Sequence, residues 1–274
     1  MPILTAGRKR SAGVLLVALL GLAEVAVGQA APDATALVQE GIAAHLARDM
    51  PTALARFEAA LAADSTSYEA AWRAGETLLD LGKQTPDTVK SPARDSLYAR
   101  AEAYGRQAVA LNPAGTDGRY VLAAAIGRAS LTKRKKERVR RAAEIRAEAL
   151  TALELDASNH KAYHVMGRWN AEIMRLSGLE RFFAKTFLGG KIFSAASWDS
   201  AVVYMDRAVA ASPETIYHHL DLAEILAERG RYTEARSHLE EVARLPVFDV
   251  MDPAYKDQAQ ALERRIHGRE DKGR

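Results

Sequence analysis

A chain of 274 residues with 48% hydrophobic and 27% charged side chains has the proportions of a folded globular protein. Nine prolines and 18 glycines are too few for a disordered or collagen-like chain. There is no cysteine, which excludes disulfides and thiolate chemistry and leaves stability to a packed core.

The first 30 residues read differently from the rest. Arg8, Lys9 and Arg10 form a basic start, Ala12 to Ala23 is an apolar run ended by Glu24, and Val27-Gly28-Gln29-Ala30 sets small residues before a cut. This layout predicts a secretory signal peptide over 1–30, cleaved near Ala30. The apolar run is short of the about 20 residues that span a bilayer. The remaining chain, 31–274, is then expected in the periplasm or outside the cell as one helical domain. Losing Arg8, Lys9, Arg10 and Glu24 lowers the formal charge from +3 to +1, so the basic balance gives no reason to expect nucleic acid.

From Ala34 onward the sequence repeats. Gly41 and Gly75 lie 34 residues apart, and Leu37, Ala53, Phe57, Ala60 and Ser65 sit around Gly41 at the offsets of a helix-pair repeat. Later segments carry the second half of that pattern: Ala101, Ala108 and Pro113; Ala201, Ala208 and Pro213; Ala235 and Leu239. Small residues let two helices approach, larger ones such as Phe57 and Met205 fill the space beside them, and the prolines end the helices. No sustained two-residue alternation suggests strands. These residues resemble the tetratricopeptide repeat. The expected fold is all-α: a tetratricopeptide-like solenoid of about five helix pairs, starting at Ala34, Tyr68, Thr116, His160 and Ile216, plus a final helix near Pro253–His267.

Three pairs depart from regularity. GKQTPDTVKSPARD, from Gly82 to Asp95, reads as a loop. The basic run KRKKERVRR, Lys133 to Arg141, lengthens the third pair and reads as a solvated helical face. A long helical insertion, 171–197, lies in the fourth. There the spacing i, i+3, i+7, i+11 puts Leu176, Leu179, Phe183 and Phe187 on one helical face, and Gly189-Gly190 ends the helix. That face would either cap the core or form a lid or docking ridge.

The text YHVMGRWNAEIMRLSGLERFFAKTFLGG, then WDSAVVYMDRAVAASP, then LEEVARLPVFDVMDPAYKDQ, resembles the regulator of microtubule dynamics family. Its marks here are the triplet Gly167-Arg168-Trp169 and the segment Leu179-Glu180-Arg181. The likeness is clearest from Asp156 to Asp257 and extends upstream to Ala34. It implies a divergent tetratricopeptide-like fold and a binding role in a bacterial-type exported homologue, with no catalytic residues. The microtubule itself is not implied, because an exported chain does not meet one.

No catalytic or phosphate-binding motif occurs. His160 and His164 lie one turn apart, but no third ligand follows at a metal-site spacing, so they read as polar positions with no metal or cofactor. His218 and His219 are adjacent and leave the helix on different sides. The repeat register places Val38, Trp72, Tyr120, His164 and Leu220 at the fifth position of successive first helices. Trp72, Tyr120 and His164, with Arg73 and Arg168 beside them, are therefore the expected partner-binding stripe, suited to an extended peptide or an acidic, partly apolar ligand. The expected function is a non-catalytic scaffold for a protein or peptide. The alternative is a carrier of a lipid or small molecule beneath 171–197.

Overall fold

The computed structural model describes Pro2 and residues 33–133, 135–177 and 191–271. Within these residues the chain is helical, without a strand. In order the helices are α1 (Ala34–Leu46), α2 (Met50–Ala63), α3 (Tyr68–Lys83), α4 (Pro92–Leu111), α5 (Thr116–Ala129), α6 (Lys135–Leu155), α7 (His160–Arg175), the short α8 (Lys191–Ser194), α9 (Trp198–Ala211), α10 (Ile216–Glu228), α11 (Tyr232–Arg244) and α12 (Asp252–Ile266).

Local chemistry starts and stops these helices. The side chains of Asp33, Asp49, Ser67, Ser91, Asn159 and Ser197 each accept a hydrogen bond from a first-turn backbone N–H, worth about 1 kcal/mol apiece. Asn112 and Ser212 close α4 and α9 just before Pro113 and Pro213. Gly230 takes a φ of 75°, which turns the chain between α10 and α11 at no steric cost.

Consecutive helices pack as antiparallel pairs: α1 on α2, α3 on α4, α5 on α6, α7 on α9, and α10 on α11. The first helices also meet one another, α1 with α3, α3 with α5, α5 with α7 and α7 with α10, and so build one continuous wall. α12 packs on α10 and α11 and ends the array. The alanines of the repeat pattern are fully buried at these contacts: Ala53, Ala60, Ala101, Ala108, Ala201, Ala208 and Ala235. A Cβ on Gly41 would come within 2.5 Å of the Phe57 ring, so the first pair closes only with glycine there. Among the described residues no helix is long and apolar enough to cross a membrane.

The irregular pairs differ from expectation. The stretch from Gly82 to Asp95 is loop over 84–91 but helical at both ends, because α3 runs to Lys83 and α4 begins at Pro92. A proline in the first turn behind a capping serine starts a helix rather than breaking one. The buried Arg94 donates to the Pro86 carbonyl at 2.7 Å and ties down the short connection that remains. The basic run enters α6, where Arg138 and Arg140 are exposed and Arg141 turns back to Glu102 at 2.9 Å. In the fourth pair α7 stops at Arg175. Leu176 leaves the helix with ψ 140° and packs against the core, so it does not continue α7 as one apolar face. Leu179, Phe183 and Phe187, and the signal segment apart from Pro2, lie outside the described residues.

After the fifth pair, segment 246–251 reaches back toward the first. Asp252 accepts from the backbone N–H groups of Phe248 and Asp249 at 2.8 and 2.7 Å, which fixes the bend. Phe248, Asp249 and Val250 then line a shallow pocket together with His45, Leu46 and Met50 of the first pair.

Candidate partner-binding face and its keystone helix

The wall of first helices brings the expected site residues onto neighbouring helices but does not leave them open. Trp72 and Tyr120 are 9% and 8% exposed, within one core cluster that also holds Val165, Met166 and Trp169. An exposed aromatic stripe therefore does not exist. The physical reason is register: one residue around a helix turns a side chain by about 100°, and here that turn carries both rings into the seam between first helices. Each ring is also covered by a cation. The Arg73 guanidinium lies 4.3 Å from the Trp72 ring centre, and Lys161 Nζ lies 5.3 Å from that of Tyr120.

The two arginines are not free to grip a ligand carboxylate. Arg73 donates to Glu69 at 2.9 Å. Arg168 donates to Asp221 at 3.1 Å and to Glu172 at 3.3 Å, with Glu224 at 3.7 Å. Both arginines are thus engaged within the wall.

Ion pairs instead stitch successive first helices together. His45 of α1 meets Asp80 of α3 at 3.2 Å, and Lys83 donates to the same carboxylate at 2.9 Å. Burial raises the Asp80 pKa, but Lys83 and His45 outweigh it and hold the group down at about 2. Lys161 of α7 reaches past Tyr120 to Glu76 of α3 at 2.5 Å. His164 and Arg168 of α7 both bond Asp221 of α10, His164 at 2.6 Å. Burial pushes the His164 imidazole below its ordinary value against the pull of that carboxylate. Burial also pushes the Tyr120 phenol up to about 12, so it stays a neutral hydroxyl. Among the described residues that hydroxyl makes no hydrogen bond. The sequence reading missed Glu76, Asp80, Lys83, Lys161 and Asp221. Their signal was charge recurring on successive first helices, and it could be read only as pairs once the helices were placed side by side.

Three carboxylates on or beside this wall have no hydrogen-bonded cation among the described residues: Asp117, Glu224 and Asp249. Burial raises the pKa of each. Glu224 is raised further by Asp221, and Asp249 by Asp80. The wall thus has carboxylates to spare and no spare cation on Arg73 or Arg168. His160 meets His218 at 2.8 Å rather than joining His164 in a ligand set. No group of three or more metal-ligating side chains gathers among the described residues.

The triplet Gly167-Arg168-Trp169 acquires a physical meaning in α7. Each residue serves a different helix. A Cβ on Gly167 would lie 2.7 Å from Met205 Cγ, so glycine allows α9 to close on α7. Arg168 holds α10 through Asp221. The Trp169 indole N–H donates to the Ala142 carbonyl of α6 at 2.7 Å, and its ring stacks on Phe193 of α8 at 6.3 Å. Three consecutive positions point about 100° apart on a helix, which is why one triplet can lock three neighbours.

Solved structures with this arrangement are known. A thermophilic TPR protein of Thermus thermophilus superposes with a TM-score of 0.59 at 19% identity, covering 84% of this chain and 98% of its own. The pilF protein of Pseudomonas aeruginosa does so with a TM-score of 0.50 at 12% identity, covering 85% and 90%. At these identities the likeness is one of fold. No curated protein matches the chain by sequence. The sequence profile of regulator of microtubule dynamics protein 1-3 matches residues 41–267, from α1 to just beyond α12, and the chain belongs to that family.

Proposed function

We propose that this chain is a non-catalytic scaffold, exported after cleavage behind Ala30, that holds an extended segment of a protein partner along the wall of first helices. A stacked helical array offers such a segment a long continuous surface. One observation carries the reading: on this wall Arg73 and Arg168 are already paired, while among the described residues Asp117 and Asp249 have no ion-pair partner and Glu224 has only Arg168 at 3.7 Å. Such a surface favours a segment with lysine or arginine side chains. Each would meet a carboxylate in a partly dry setting, where charge-assisted hydrogen bonds are strong.

Fluorescence anisotropy with a labelled basic peptide and its acidic counterpart tests this on the full chain. The basic peptide binds, loses affinity as salt rises, and binds more weakly to the Asp117→Asn, Glu224→Gln double variant. Binding of the acidic peptide instead, or of neither, overturns the reading. Export is tested separately by N-terminal sequencing. The mature chain begins at Ala31, and an intact Met1 on a cytoplasmic product overturns that part.

A further inference from the structure

α10 hangs between two imidazole contacts. His218 and His219 are neighbours in sequence and leave the helix on different sides. His218 Nε2 lies 2.8 Å from His160 Nδ1 on α7, and His219 Nδ1 lies 3.0 Å from His238 Nδ1 on α11. His219 Nε2 sits 2.9 Å from the Pro213 carbonyl, which can only accept. That nitrogen therefore carries the proton, Nδ1 of the neutral ring accepts, and His238 donates to it. His218 is fully buried, and among the described residues its Nδ1 has no partner. A proton there would be a buried, unsatisfied donor, so His218 holds its proton on Nε2 and donates to His160. Each contact thus runs on one shared proton. A third ring, His164, stands 5.2 Å from His218 and 4.8 Å from Tyr217, and is held by Asp221.

The groups around these rings do little to welcome more protons. From α7, Lys161 faces His160 and Arg168 faces His164, and both oppose a positive ring. Glu76 and Glu214 favour one at His160, as Asp221 does at His164 and His218. From α11, Glu234 and Glu241 favour a charged His238, while Arg231 opposes it. α12 offers Tyr255 against Tyr217. α9 adds apolar contact through Ala201, Val202 and Met205.

We propose that α10 is an acid-sensitive joint: protons entering these histidine contacts open its seams to α7 of the fourth pair and to its own partner α11, so that α10 loosens from both sides. Burial is the leading cause that holds His160, His164, His218 and His238 below the ordinary imidazole value, His218 furthest. The sign follows from linkage. A histidine kept neutral in the closed state but free to titrate near 6.5 in the open state stabilises closure above that pH. The advantage is lost as pH falls below it, and the opening constant rises about tenfold per pH unit for each such ring. His45 is the internal control, since its hydrogen bond to Asp80 raises its pKa, and acid does not loosen the α1–α3 seam through it. Tyr217, Asp221 and Glu224 all ride on α10, so acid would take apart the C-terminal half of the wall.

Hydrogen exchange of the full chain, read by mass spectrometry at pH 7.5 and 5.5 and corrected for intrinsic rates, tests the joint. Protection in α10 and α11 falls about tenfold or more relative to α3. In His218→Phe that excess shrinks by up to about tenfold, the share of the most deeply buried ring, while the other lowered rings still contribute. An equal change in α3 and α10, no change, or an undiminished excess in the variant overturns the proposal. If His218→Phe does not fold, the wild-type histidine titration by NMR decides alone. A His218 ring that stays neutral down to pH 5.5 supports the joint, and one that titrates near 6.5 refutes it.

Discussion

Trp169 provides the sharpest test of the keystone reading of α7. It is 5% exposed, stacks on Phe193, and hydrogen-bonds the Ala142 carbonyl at 2.7 Å. Replacing it with alanine removes a ring that buries about 150–250 Å². At about 25 cal/mol per Å² that is roughly 4–6 kcal/mol as an upper bound, in line with the about 3–5 kcal/mol typical of such truncations. For a domain of this size 1 kcal/mol moves the thermal midpoint by about 2–4 °C, so Trp169→Ala lowers it by about 6–20 °C. Trp169→Phe keeps the stacked ring and gives up the indole hydrogen bond, and costs only about 0.5–1.5 kcal/mol. Circular dichroism melts of both variants distinguish the two contributions. A midpoint for Trp169→Ala within about 2 °C of the parent would refute the idea that this residue ties α6 and α8 to α7. Equal losses in both variants would mean that the hydrogen bond, and not the ring, is what matters.

Other consequences of the structure are as direct. Ala101→Leu and Ala201→Leu each insert a branched side chain at a fully buried helix contact; each costs about 1–3 kcal/mol in a melt, and an unchanged midpoint for both would contradict the packing. Arg168→Ala removes a cation whose field lowers the His164 pKa; the His164 ring then titrates at higher pH by NMR, and an unmoved titration argues against the Arg168–Asp221–His164 arrangement. Asp80 has its pKa held down at about 2 in the fold, from an ordinary value of 3.8. Its stabilising contribution is therefore complete above about pH 4 and is lost as pH falls toward 2; acid titrations of the parent and of Asp80→Asn converge below that range, and parallel curves at all pH values would exclude the effect. Gly167→Ala forces Met205 to move inside the core; it costs about 1–3 kcal/mol, and a Met205→Ala background should recover part of the loss, which a simple helix-propensity effect would not allow.

Much of the architecture was legible from the residues alone. The first helices begin at Ala34, Tyr68, Thr116, His160 and Ile216, where the repeat register placed them, and α4 and α9 stop one residue short of Asn112-Pro113 and Ser212-Pro213. These are local matters: a capping side chain, a proline or a periodic alanine acts within a turn or two of its own backbone. What stretched beyond that range was misread. Gly82 to Asp95 reads as loop throughout, and 84–91 is loop, but its ends are not: α3 runs to Lys83, and Ser91 with Pro92 opens α4. Leu176 looked like the start of an apolar helical face, but it turns out of α7 into the core.

The inner wall was decided by tertiary structure. Trp72 and Tyr120 have the composition of a binding stripe, yet a turn of about 100° per residue leaves no margin in register, and both rings fall into the seam. Arg73 and Arg168 resemble ligand-binding arginines until Glu69, Asp221 and Glu172 are seen to hold them. His160 and His218 are 58 positions apart, and His219 and His238 are 19. No spacing rule on one helix could pair them, because each contact forms only when separate helix pairs stack. The sequence by itself determined the repeat, its caps and its small-residue contacts, since those depend on periodicity and on neighbours within a turn. Which charges are satisfied, which rings are buried and which imidazoles share a proton was settled only by the stacking of one helix pair on the next, because those energies depend on distances between residues that the chain keeps far apart.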